Sequence, residues 1–185
     1  MTAYSAHRER RLDHAFFHLD VDRNGYAEHD DLTALAARLM DLFGEAPGTA
    51  KGGALIDGFE TFWQALLAAI DLDGDRRISP REWREGMVGA FAEREGGFDR
   101  CFRPAVVGAL AMVDTDEDGS VSPDEWRRFQ RAFGTSPEDA ELSFARLDSD
   151  GDGTLSVDEL VENARQFYTG TDESAVGNWF FGRVD

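Results

Sequence analysis

The sequence holds one cysteine, Cys101, and one lysine, Lys51; all its other bases are arginine. A single thiol excludes an internal disulfide and a cysteine-rich zinc cluster. Cys101 reads as a small buried or half-buried residue rather than a redox sensor. Methionine is scarce: apart from Met1 there are only Met40, Met87 and Met112. Surfaces that repack around many partners tend to be Met-rich, so this composition points to a fixed aromatic core instead. No apolar run approaches the length of a membrane span, and the stretch from Met1 to Phe17 has no apolar signal core. The expectation is a soluble, cytoplasmic, monomeric protein without membrane insertion. Positive charge is short as well, with 19 bases against 37 acids and a net charge of −18. That balance repels nucleic acid and anionic membrane and favours cations or basic partners.

Among what is present, apolar residues reach 42 % with 14 phenylalanines, enough for a sizeable core in 185 residues. The acids are concentrated. Four twelve-residue stretches begin at Asp20, Asp71, Asp114 and Asp148. Each places oxygen donors at positions 1, 3, 5 and 12, a turn residue near 6 and an apolar residue near 8. A hard divalent cation wants six to eight oxygens at about 2.3–2.6 Å, and this spacing supplies them. Side chains at 1, 3 and 5 and the carbonyl at 7 each give one oxygen, and an acid at 12 closes the cage. The candidate ligands are Asp20, Asp22, Asn24, the Tyr26 carbonyl and Asp31 in loop one. In loop two they are Asp71, Asp73, Asp75, the Arg77 carbonyl and Glu82. In loop three they are Asp114, Asp116, Asp118, the Ser120 carbonyl and Glu125. In loop four they are Asp148, Asp150, Asp152, the Thr154 carbonyl and Glu159. Clustered carboxylates repel one another, so Ca²⁺ binding and folding are expected to be coupled.

Helical periodicity flanks every loop. Leu12, Ala15, Phe16 and Leu19 precede loop one; Phe59, Phe62, Trp63, Leu66 and Ile70 precede loop two. Trp83, Met87 and Phe91 follow loop two, and Trp126, Phe129 and Phe133 follow loop three. The pattern gives eight helices in four helix–loop–helix units, an all-α fold paired into two lobes. The expected division is 1–95, 96–170 and a tail, 171–185, packed on the core. The Gly- and Pro-containing stretch 44–53 reads as a linker. Pro104 either starts the fifth helix or kinks it. Ser79, Ser122 and Ser156 each stand three residues before a Glu, the capping-box spacing, so Glu82, Glu125 and Glu159 are also helix N3 residues. Ser136-Pro137 opens another helix. Val121 and Leu155 sit at position 8, where they can pair as a two-strand ribbon.

The loops are not equal. Loops three and four fit at every position. In loop one the closing residue is Asp31, one methylene shorter than Glu, which weakens Ca²⁺ and favours Mg²⁺ competition. Ala27 at position 8 is a poor partner for Ile78, and Glu28 at position 9 can add a carboxylate. Loop two has Arg76 at position 6, where a positive φ penalises a non-Gly residue by roughly 1 kcal/mol.

Four histidines crowd the first 29 residues, and His14 and His18 stand i, i+4. Two imidazoles on one face could bind a transition metal; without an HExxH motif, exposed helix residues is the preferred reading. Trp63, Trp83 and Trp126 fall at core spacing. No Ser-His-Asp, Cys-His, P-loop or GxGxxG arrangement stands out, so no enzyme is expected.

With the four units, the widened N-terminal half and the run Gly177-Asn178-Trp179-Phe180-Phe181-Gly182, the chain resembles the calerythrin group of bacterial EF-hand proteins, relatives of the invertebrate sarcoplasmic calcium-binding proteins. The resemblance implies a compact fold of paired EF-hands, high-affinity Ca²⁺ binding and a buffer rather than a calmodulin-type sensor. It also implies that one N-terminal loop can lack metal. Trp179, Phe180 and Phe181 are expected to fold back and close the cleft a sensor would offer. The alternative is a sensor that exposes that groove and regulates a partner protein.

Overall fold

Ser79, Ser122 and Ser156 start helices as their spacing predicts: each hydroxyl accepts from the backbone of the Glu three residues on, and each Glu answers the serine N–H. The computed structural model describes residues 6–92 and 96–184. Its helices are α1 Ala6–Leu19, α2 His29–Phe43, α3 Ala50–Ile70, α4 Pro80–Gly86, α5 Gly97–Val113, α6 Pro123–Ala132, α7 Pro137–Leu147 and α8 Val157–Thr169. A π-helical turn, Met87–Ala92, continues α4, and a 3-10 turn, Val176–Trp179, follows α8. The beginning of the N-terminal stretch, residues 1–5, and the expected division at 95, within residues 93–95, lie outside the described residues.

Short ribbons tie the loops in pairs. β1 (Ser120–Val121) runs antiparallel to β2 (Leu155–Ser156), with Val121 opposite Leu155. In the other pair Ala27 and Ile78 exchange both backbone hydrogen bonds at 2.9 Å. The small Ala27 side chain does not prevent this, because the bridge is made of main-chain groups.

The core is continuous across the two halves. Trp63, Trp83 and Trp126 are fully buried within it. The Trp83 indole N–H donates to the Leu12 carbonyl at 2.8 Å, and that of Trp126 to Ser143 Oγ at 3.1 Å. Helices α3 and α5 cross backbone to backbone. A Cβ at Gly58 would lie 2.7 Å from the Pro104 carbonyl oxygen, and one at Gly108 would lie 2.7 Å from that of Ala54.

Two expectations need correction, and one of the two alternatives for Pro104 falls away. Residues 50–53 are helix, not linker: the Thr49 hydroxyl accepts from Gly52 N at 3.0 Å and starts α3 there, leaving 44–49 as the connection. Pro104 does not start α5, which begins at Gly97; it sits inside the helix and presents its carbonyl to α3. His18 is buried, and His14 half-buried, because this face of α1 meets the C-terminal tail. His18 Nδ1 donates to the Phe133 carbonyl at 2.6 Å, and its ring stacks on Phe181 at 4.9 Å. Burial, aided by the neighbouring His14, drops the His18 pKa to about 4, so the ring is neutral at pH 7.

Phe180 and Phe181 enter the core against Trp126, Phe133 and Phe167. Trp179 does not follow them; it stays half-buried under the Arg146 guanidinium, 4.6 Å from its ring centroid. Gln130 Nε2 donates to the Phe180 carbonyl at 2.5 Å, and the buried Arg11 guanidinium donates to Asn178 Oδ1 and to the Gly170 carbonyl.

Candidate metal centres

One set of local hydrogen bonds builds all four loops. The position-6 N–H donates to the position-1 carboxylate: Gly25 to Asp20 at 3.0 Å, Arg76 to Asp71 at 3.1 Å, Gly119 to Asp114 at 3.0 Å and Gly153 to Asp148 at 3.1 Å. The position-7 N–H donates to position 5: Tyr26 to Asn24 at 2.9 Å, and Arg77, Ser120 and Thr154 to Asp75, Asp118 and Asp152 at 2.8 Å. These bonds curl the chain so that position-1, 3 and 5 side chains and the position-7 carbonyl belong to one tight turn.

The position-12 acid then clamps the loop's start to the next helix. Glu125 accepts from Thr115 N at 2.7 Å and from Ser122 N at 2.9 Å. Glu82 accepts from Leu72 N at 3.0 Å and Ser79 N at 2.9 Å, and Glu159 from Ser149 Oγ at 2.9 Å and Ser156 N at 3.0 Å. Asp31 does the same despite its shorter side chain, accepting from Val21 N at 2.9 Å and Glu28 N at 2.8 Å.

Carboxylate oxygens converge in each loop, within 4.8 Å of one another: Asp20, Asp22 and Asp31; Asp71, Asp73 and Glu82; Asp114, Asp116 and Asp118; Asp148, Asp150 and Glu159. Like charges this close repel unless a cation sits among them. Asp114 Oδ1 is buried with no hydrogen-bond partner, an orphan that suits a cation ligand. The donor set is all oxygen and matches a hard ion such as Ca²⁺. Of the acidic sequence candidates, Asp75, Glu125 and Asp152 lie outside these tightest groups. Asn24 donates to Glu28 Oε2 at 2.7 Å, which brings the position-9 acid of loop one across the turn. Asp75 is held by the Arg77 guanidinium at 2.8 Å, a positive charge beside the loop-two site that competes with an ion for that carboxylate.

The closing acids differ electrostatically. Burial pushes the Asp31 carboxyl up, and the N–H groups of Glu28, Asp22 and Val21 only partly oppose it. Burial also pushes up Glu82, Glu125 and Glu159, but hydrogen bonds outweigh it and hold all three below the usual carboxylate range. For Glu125 those bonds come from Thr115 and Ser122; for Glu159, from Ser156 and Ser149.

The backbone adds a feature that the sequence reading missed. Each loop turns left-handed twice, at positions 4 and 6. Loop four has glycine at both, Gly151 and Gly153. Every other loop places one side chain there: Arg23 at φ 64°, Arg76 at 62° and Glu117 at 60°. A left-handed side chain is therefore not peculiar to loop two, and loop three is not the equal of loop four. The position-6 glycines sit at 87–91°, beyond the αL basin, whereas Arg76 is confined to it.

The comparisons agree with this geometry. An EF-hand domain-pair model matches residues 105–165, and an EF-hand model matches residues 64–88; together they take in loops two to four. No curated protein sequence matches the chain. A Streptomyces coelicolor calcium-binding protein, whose structure addresses prokaryotic calcium-mediated regulation, is 34 % identical with a TM-score of 0.80. That match covers 89 % of this chain and 99 % of that one. The amphioxus sarcoplasmic calcium-binding protein shares the fold at 15 % identity and a TM-score of 0.72, covering 98 % of this chain and 100 % of its own. Calcium-loaded apo-aequorin from Aequorea victoria shares it at 24 % identity and a TM-score of 0.70, over 89 % and 92 % of the two chains.

Proposed function

From the premise that the chain belongs to the EF-hand calcium-binding proteins, we propose that it is a calcium buffer with graded sites. The observation that carries the buffer reading is the seating of Phe180 and Phe181 in the space between the helices. A sensor needs an apolar groove free for its target; here the chain's own tail occupies that space. Burying two Phe side chains contributes about 1.5–3 kcal/mol each, which favours the closed form.

In this reading loop four binds Ca²⁺ most tightly, through Asp148, Asp150, Asp152, the Thr154 carbonyl and Glu159. Loop three follows with Asp114, Asp116, Asp118, the Ser120 carbonyl and Glu125. Loop two is weakened by the hold of Arg77 on Asp75. Loop one, closed by the shorter Asp31, is where Mg²⁺ competes. The protein acts as a cytoplasmic monomer, and its activity is binding rather than catalysis.

A second reading has its own support: the Streptomyces coelicolor relative is described in terms of calcium-mediated regulation. A cavity of about 70 Å³ lies beside the tail, bordered by Leu35, Phe62, Phe102, Phe133, Phe180 and Phe181. Release of the tail would enlarge it into a groove. Fluorescence of an apolar-surface dye separates the two. The buffer gives little signal at calcium saturation; a large calcium-induced rise, with a calcium-dependent protein partner, would establish the sensor instead.

A further inference from the structure

The single lysine lies in the first turn of α3, outside every loop. Its side chain reaches from the N-terminal half into loop three. Lys51 Nζ donates to the Asp114 main-chain carbonyl at 2.6 Å and stands 3.5 Å from Glu117 Oε1. Asp114 is position 1 of loop three and carries the orphaned Oδ1; Glu117 is the residue held at φ 60°. The lysine thus grips the turn at both of its unusual points.

The other end of the same helix is loop two. Ile70 is the last residue of α3, and Asp71, position 1 of loop two, is its C-cap. One continuous helix of 21 residues therefore ends on a loop-two ligand and begins with a cation bonded to a loop-three ligand residue. At 1.5 Å per residue the strut is about 30 Å long. The ribbons pair loop one with loop two and loop three with loop four. They make no link between loops two and three.

We propose that Lys51 is a positioning residue that couples calcium binding at loop two to calcium binding at loop three through α3. An ion at loop two fixes Asp71 and with it the end of α3. The helix then presents Lys51 to Asp114 and Glu117 in the arrangement loop three needs, so filling one site strengthens the other. By linkage the effect is reciprocal. The proposal goes beyond the buffer reading and holds for a sensor equally; it requires only that both loops bind calcium.

The test is a double-mutant cycle in the full-length protein. Glu82→Gln weakens loop two while keeping a hydrogen-bond acceptor in place. Loop-three affinity is read from the backbone amide resonance of Gly119, whose N–H bonds to Asp114. With Lys51 present, Glu82→Gln lowers loop-three affinity by about fivefold, the lower end of ordinary coupling between sites. In the Lys51→Met background the same change has less than about a twofold effect, and Lys51→Arg restores most of the coupling. Equal effects of Glu82→Gln with and without Lys51 would overturn the proposal and assign any coupling to the α3–α5 crossing. A Gly119 resonance that never responds to calcium would overturn the proposal together with loop three as a site.

Discussion

Loop one ends on Asp31, a buried carboxylate that the main chain holds by three N–H groups and whose pKa burial raises. Loop four ends on Glu159, held below the usual range by Ser156 and Ser149 against the upward push of burial. Loop one turns left-handed through Arg23, loop four through Gly151. Yet both draw three carboxylates within 4.8 Å and both clamp the loop's start to a helix N-terminus. The comparison separates what the motif needs to form from what it needs to bind. Forming the turn takes the position-1 and position-5 acceptors and a closing acid of either length. Binding strength rests on how many oxygens remain for the ion and on what else holds them.

The largest way to sharpen that contrast is to remove the closing acids in turn. Glu159→Gln is expected to weaken loop four on the order of a hundredfold, and Asp31→Asn to weaken loop one only about tenfold, because one of the two closers reaches the ion with two oxygens. Site-resolved calcium titration by NMR measures both. Lengthening the shorter closer is the converse experiment. Asp31→Glu raises the preference of loop one for Ca²⁺ over Mg²⁺ by about tenfold, read from competition titrations.

A smaller effect tests the backbone. Gly151→Ala forces a side chain into the left-handed position of loop four and costs about 1 kcal/mol in unfolding stability. The matched change Arg76→Gly relieves loop two by about the same amount. Chemical denaturation of the metal-free protein reads both.

The smallest effect is in pH. In the metal-free fold the raised pKa of Asp31 means that it takes up a proton before Glu159 as pH falls. Between the ordinary carboxylate pKa and the raised one, the folded chain binds more protons than the unfolded chain, so protonation there stabilises the metal-free fold and opposes the ion. Loop one is therefore expected to release calcium at a higher pH than loop four. Equal release midpoints would show that the two closers are electrostatically alike.

Much of this was legible in the sequence because it is local. The Ser-x-x-Glu spacing names both the helix start and the closing ligand, and the apolar periodicity around each loop yields eight helices. The missing parts are long-range or conformational. Nothing near His18 in sequence announces Phe133 and Phe181, which bury it. Lys51 and Asp114 are 63 residues apart, and the contact between them follows from the α3–α5 crossing. The left-handed turn at position 4 was hidden because Arg23 and Glu117 occupy it in two loops, whereas position 6 is marked by glycine in three. Gly52 and Gly53 look like linker residues in the sequence, yet Thr49 caps them into a helix.

Calorimetric titration with calcium, with and without magnesium, tests the central claim of graded sites in a closed protein most directly. The expected isotherm has two tight sites that magnesium barely affects, with the weaker binding that remains eroded by magnesium. Four equivalent sites, or fewer than two tight ones, would contradict it.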